Sequence, residues 1–154
     1  MKSLLVPFVV VLLAACNSEP PTEKELDPVH PLVGTWKLLK GTTIQENDTV
    51  VTDYTNNSSF IKIINDTHFA FLNHDLKKGK DSSAAVFVAG GGTYTLTGNT
   101  YTESLEYCTA RDWEGNDFTF TLSFKGDTLT QQGTEVVESA GVNRINIEQY
   151  VRIR

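Results

Sequence analysis

Gly92-Thr93-Tyr94-Thr95-Leu96-Thr97-Gly98-Asn99-Thr100-Tyr101-Thr102-Glu103-Ser104-Leu105-Glu106-Tyr107 is the stretch on which the fold turns. Two runs alternate at a period of two, the side-chain period of a pleated strand. Gly98-Asn99 between them is a two-residue hairpin signal, with Gly supplying the positive φ of a type II′ turn. Closing that turn pairs Thr97 with Thr100, Leu96 with Tyr101 and Tyr94 with Glu103. One face then carries Tyr94, Leu96, Tyr101, Glu103, Leu105 and Tyr107. The other carries short Thr and Ser side chains with Glu106, and suits water.

The same grammar extends in both directions. Asp117 to Lys125 puts Phe118, Phe120, Leu122 and Phe124 on one face. Gly126-Asp127 turns, and Thr128 to Gly133 returns with Leu129, Gln131 and Gly133 on the Phe side. Phe60 to Ile64 and Thr67 to Asn73 form a third hairpin through Asn65-Asp66, with both faces fairly apolar. Gly34 to Lys40, Thr49 to Asp53, Ala84 to Val88 and Asn143 to Ile153 are further strand candidates. About ten such runs with short connections describe an all-β, antiparallel up-and-down meander of about 8–10 strands. A meander of that length removes its edges most simply by closing into a barrel; a two-sheet sandwich needs long crossovers that the sequence lacks. Gly90-Gly91-Gly92 lacks the Lys and the following helix of a phosphate loop, and reads as a bend or bulge at a barrel corner.

Composition excludes several classes. Of 154 residues, 40% are hydrophobic and 21% charged, which is incompatible with disorder throughout. The formal charge of −6 and the absence of a clustered basic patch argue against a nucleic-acid partner. Two Cys and three His offer neither a disulfide framework nor a zinc-finger pattern. No pair of His has metal-site spacing, so no metal or cofactor is expected.

The first residues read as an address. Met1-Lys2 is a positive start, and Leu4 to Ala15 is an apolar run shorter than the roughly 20 residues that span a bilayer. Leu13-Ala14-Ala15-Cys16 resembles the lipobox of bacterial lipoproteins. That resemblance implies a signal peptide over 1–15, cleavage before Cys16, and acyl chains such as palmitate on Cys16 as a membrane anchor. Cleavage removes Lys2, so 13 basic residues become 12 against 19 acidic, a charge of about −7. Residues 16–31, with Pro20, Pro21, Pro28 and Pro31, read as a tether that cannot bury a core. Residues 32–154 then form the folded body, anchored in the cell envelope on an outer membrane and facing the periplasm or the surface. Cys108 is left without an intramolecular partner and reads as a buried thiol.

Gly34-Thr35-Trp36 at the head of the first strand resembles the signature of the lipocalin and fatty-acid-binding-protein barrels, together called calycins. By that resemblance a late Arg, here Arg152 beside Tyr150, packs across Trp36 where the barrel closes. Lys62 to Phe71 and Gly91 to Glu103 resemble a group of small lipocalin-like lipoproteins and secreted proteins of Bacteroidota. The resemblance implies a fold and a location, and names no ligand.

A small barrel either fills its interior or keeps a cavity for one ligand. Polar groups that share the inward parity point to the second case, and Tyr94, Tyr101, Glu103, Phe118, Phe120, Gln131 and His68 are the candidate ligand contacts. Glu103 needs a reason for burial: a ligand headgroup with water, or a structural bond to a Tyr hydroxyl or to an Arg such as Arg144 or Arg152. Catalysis has no constellation to rest on. Ser58, Ser59, Ser82 and Ser83 lack a nucleophile context, and Glu103 and Glu106 fall on opposite faces. Gly41 to Ser59 reads as a long polar loop, and Trp113 as a mouth residue that either stands exposed or folds back onto the rim. The expected protein is a monomeric, non-enzymatic container for a small hydrophobic molecule. The alternative is an envelope interaction module with a filled core, working through its loops.

Overall fold

Alternating apolar faces drive the chain into nine antiparallel strands, described here from a computed structural model over residues His30–Arg154. The expected signal peptide, Cys16 and most of the tether lie outside the described residues. The strands are β1 (Gly34–Gln45), β2 (Asp48–Asp53), β3 (Ser58–Ile64), β4 (His68–Asp75), β5 (Phe87–Thr97), β6 (Thr100–Cys108), β7 (Asp117–Lys125), β8 (Thr128–Val137) and β9 (Val142–Ile153). β1 pairs with β3 through Gly34–Lys37 and with β9 from Thr35 to Ile44. That second pairing closes β1 and β3 to β9 into an eight-stranded up-and-down barrel. β2 lies outside the closed ring, paired only along the far half of β1.

The pairing read from Gly92–Tyr107 is the one observed: Thr97 opposes Thr100, Leu96 opposes Tyr101 and Tyr94 opposes Glu103. Gly98 has φ +61° whereas Asn99 stays at negative φ, as a II′ turn requires. Three expectations are corrected. Ala84–Val88 is no separate strand: β5 begins at Phe87 and runs unbroken through the three glycines. Gly41 to Ser59 is no long loop: most of it is the β1–β2 hairpin, whose Thr-rich strands bury little on either face. Tyr107 points outward and is 68% exposed. Gly91 opposes Tyr107 while Gly92 opposes Leu105, so Glu106 is an unpaired bulge residue that reverses parity and turns Cys108 inward.

One end of the barrel is filled. Leu32, Trp36, Leu38, Ile64, Leu122 and Leu129 are buried there. Trp36 Nε1 donates to the Leu32 carbonyl at 2.8 Å. The Arg152 guanidinium lies 4.2 Å over the Trp36 ring and donates to the carbonyls of Val33 and Pro31, sealing the end. Gly34, at φ +145°, leaves the space that Arg152 occupies. The opposite end carries the β1–β2 hairpin, the 76–86 loop and two short 3-10 turns, Arg111–Trp113 and Glu138–Ala140.

Candidate functional site

Above the filled end the barrel holds a cavity of about 330 Å³ that opens toward the Arg111–Trp113 turn. Strands β3 to β7 supply its apolar wall, including Phe60, Phe71, Leu105, Phe118 and Phe120. Strands β8 and β9 supply a polar wall from Gln131, Glu135, Arg144, Asn146 and Glu148, with Tyr150 at its base. The split follows from parity: every second residue of Arg144–Tyr150 faces inward, and four of those side chains carry hydrogen-bonding groups.

Lys62 sits at the floor. Only 3% exposed, it donates to Glu103, and to Gln131 Oε1 at 3.0 Å. Its ammonium also stands 5.4 to 5.8 Å from the ring centres of Phe69, Tyr101 and Tyr150. Burial pushes the Glu103 carboxyl above the usual carboxylate range, although Lys62 beside it pulls the other way. The Tyr101 hydroxyl is buried without a hydrogen-bond partner; burial, and then the Glu103 charge, hold it protonated.

A second ion pair lies nearer the mouth. Arg144 Nε donates to Glu135 Oε2 at 2.7 Å, and Asn146 Nδ2 donates to the other oxygen at 2.8 Å. The guanidinium lies 5.4 Å from the Trp113 ring, which packs at 5.6 Å on Phe118. Trp113 has therefore folded back onto the rim. Burial, the largest influence, raises the Glu135 carboxyl despite Arg144.

Four of the seven expected ligand contacts line the cavity: Glu103, Phe118, Phe120 and Gln131. The other three do not. Tyr94 stands at the filled end, its ring 5.1 Å from Tyr101 and its hydroxyl donating to the Asn65 carbonyl at 2.7 Å. Tyr101 is sealed beneath the Lys62 ammonium. His68 points outward, because Phe69 and Phe71 hold the inward parity of β4; it is exposed and bonds Thr67 at 2.7 Å. The partner of Glu103 is Lys62, not Arg144 or Arg152. Arg144, expected as a possible partner of Glu103, does line the cavity but pairs with Glu135. Lys62, Glu135, Asn146 and Glu148 were missed as interior residues, although Lys62 shares parity with Phe60 and Ile64. Glu148 likewise shares parity with Tyr150.

Among the described residues, no three His, Cys, Asp or Glu side chains stand where they could hold a metal ion. Among them, no helix is long and apolar enough to cross a membrane. No protein-family model matches this chain, and a search of curated proteins finds no similar sequence.

Proposed function

We propose that this protein is a lipid-anchored, monomeric container of the cell envelope, which holds one small, mostly apolar molecule inside its barrel and does not transform it. The cavity carries this reading. Its 330 Å³ equals the liquid volume of about eleven waters, and lies at the small end of the roughly 300–1,000 Å³ of ligand sites. An aromatic wall facing a few hydrogen-bonding groups supplies affinity through apolar burial and orientation through polar contacts. The anchor rests on Leu13-Ala14-Ala15-Cys16. Native mass spectrometry of the full chain as isolated, and saturable binding of a neutral naphthylamine dye, test the container. Absence of both co-purified ligand and saturable binding would end it. Labelled palmitate incorporated into the native chain and lost in Cys16→Ser tests the anchor separately.

A second reading, an interaction module working through the barrel exterior, draws on Tyr107 and Phe87, which are 68% and 66% exposed. Partner capture that disappears in Tyr107→Ser, with dye binding unchanged, would favour it.

A further inference from the structure

Charge around the cavity does not balance. Its lining holds three carboxylates, Glu103, Glu135 and Glu148, against two cations, Lys62 and Arg144. Both cations are committed, Lys62 to Glu103 and Arg144 to Glu135. Glu148 has no cation within salt-bridge distance among the described residues. It accepts one hydrogen bond there, from the Tyr150 hydroxyl to Oε2 at 2.8 Å, which leaves Oε1 open.

Aromatic rings line the cavity on the side of this carboxylate. Gly41 is the register partner of Glu148 across the β1–β9 pairing. The Tyr54 ring lies over Gly41, where a Cβ would stand 3.2 Å from it, so the missing side chain is what brings Tyr54 beside Glu148. Phe60 bridges the group, edge-on to Tyr54 at 5.6 Å and to Tyr150 at 6.5 Å. Tyr54, Phe60, Tyr150 and Glu148 all line the one cavity. Ring faces and an unpaired carboxylate together recognise organic cations, through ring quadrupoles and a charge-assisted hydrogen bond. An anionic headgroup finds no free cation there. The field of Glu148 also bears on Tyr54, Tyr101, Glu103, Glu135 and Tyr150, in each case disfavouring further negative charge.

We infer that the ligand is an amphiphilic amine: an apolar body against Phe71, Leu105, Phe118 and Phe120, with its ammonium on Glu148 between Tyr54, Phe60 and Tyr150. This rests on the container reading and adds a charge to its ligand.

Calorimetric titration of the full chain at neutral pH with three probes of one alkyl length tests it: octylammonium, octanol and octanoate. Octylammonium binds about tenfold or more tighter than octanol, and octanoate binds weakest. Glu148→Gln keeps an oxygen for the Tyr150 hydroxyl, so octanol affinity holds while the preference for the amine disappears. Tyr54→Leu weakens the amine and spares the alcohol. Octanol or octanoate binding as tightly as the amine, or an amine preference that survives Glu148→Gln, overturns the inference and leaves the container standing. If none of the three binds while the naphthylamine dye still does, the inference falls and the container stands; if the dye also fails and no ligand co-purifies, both fall.

Discussion

Lys62→Met puts the buried pair at the cavity floor to a quantitative test. Methionine keeps most of the apolar stem, so the change removes chiefly the ammonium and its bonds to Glu103 and Gln131. Glu103 is then left fully buried with no cation beside it, and a lone carboxylate in that position takes up a proton. Protonation caps the cost. For a carboxyl that titrates near 4.3 when unfolded, it is about 3.7 kcal/mol at pH 7 and about 1 kcal/mol at pH 5. Burial already raises the Glu103 carboxyl in the native chain, which therefore carries part of that cost. Urea unfolding of native and variant chains at pH 5, 6 and 7 should show a further loss of at most about 3.7 kcal/mol at pH 7 that shrinks with acid, at unchanged m. Lys62→Met with Glu103→Leu removes both charges and should recover most of the loss. A penalty that ignores pH, or no penalty at pH 7, would refute the idea that these two groups hold each other's charge inside the barrel.

Arg152→Lys keeps the charge but loses the planar stack on Trp36 and the fork onto Val33 and Pro31. An expected cost of about 1–3 kcal/mol, with a shifted Trp36 emission, is read by fluorescence-detected unfolding. Gly92→Ala places a Cβ 2.0 Å from the Ser104 carbonyl, a backbone atom that moves only with the bulge. A cost of about 1–3 kcal/mol is expected in thermal unfolding. Glu135 has its native carboxyl raised by burial, with Arg144, Asn146 and Glu148 around it. Its contribution to stability is complete below the unfolded value of about 4.3 and is lost as pH rises through the native value. Glu135→Gln should therefore flatten the fall in urea midpoint between acid and neutral pH relative to the native chain, and an unchanged slope would assign that fall elsewhere.

The barrel was legible because its hairpins announce themselves: Gly98-Asn99 and Gly126-Asp127 each separate runs with one apolar and one polar face. Thr49 to Asp53 was legible as the strand that became β2, but the run of β1 beyond Lys40 to pair with it was hidden, because Thr42 and Thr43 show no contrast between faces and a hairpin outside the ring needs none. Local alternation also could not foresee the inversion at Tyr107. It is set by the neighbouring strand, where Gly90 and Gly92 let the backbone of β6 come close on either side of the extra residue, Glu106. Lys62 was hidden for a different reason. A lysine among isoleucines is ordinarily a solvated side chain, and only the need of Glu103 for a counter-charge on a non-adjacent strand marks it as interior. The polar wall was within reach, since Gln131 and Tyr150 fix the inward parity of β8 and β9. Carrying it along to Glu135, Asn146 and Glu148 names the residues.

Lys62, Glu103 and Gln131 make a false bottom. Below them the barrel is solid down to Trp36; above them it is hollow, and nothing in the backbone marks the boundary. Capacity is thus decoupled from architecture. Three side chains reaching across from β3, β6 and β8 decide how deep the cavity runs, so shortening them would deepen it without altering the rim or moving a strand.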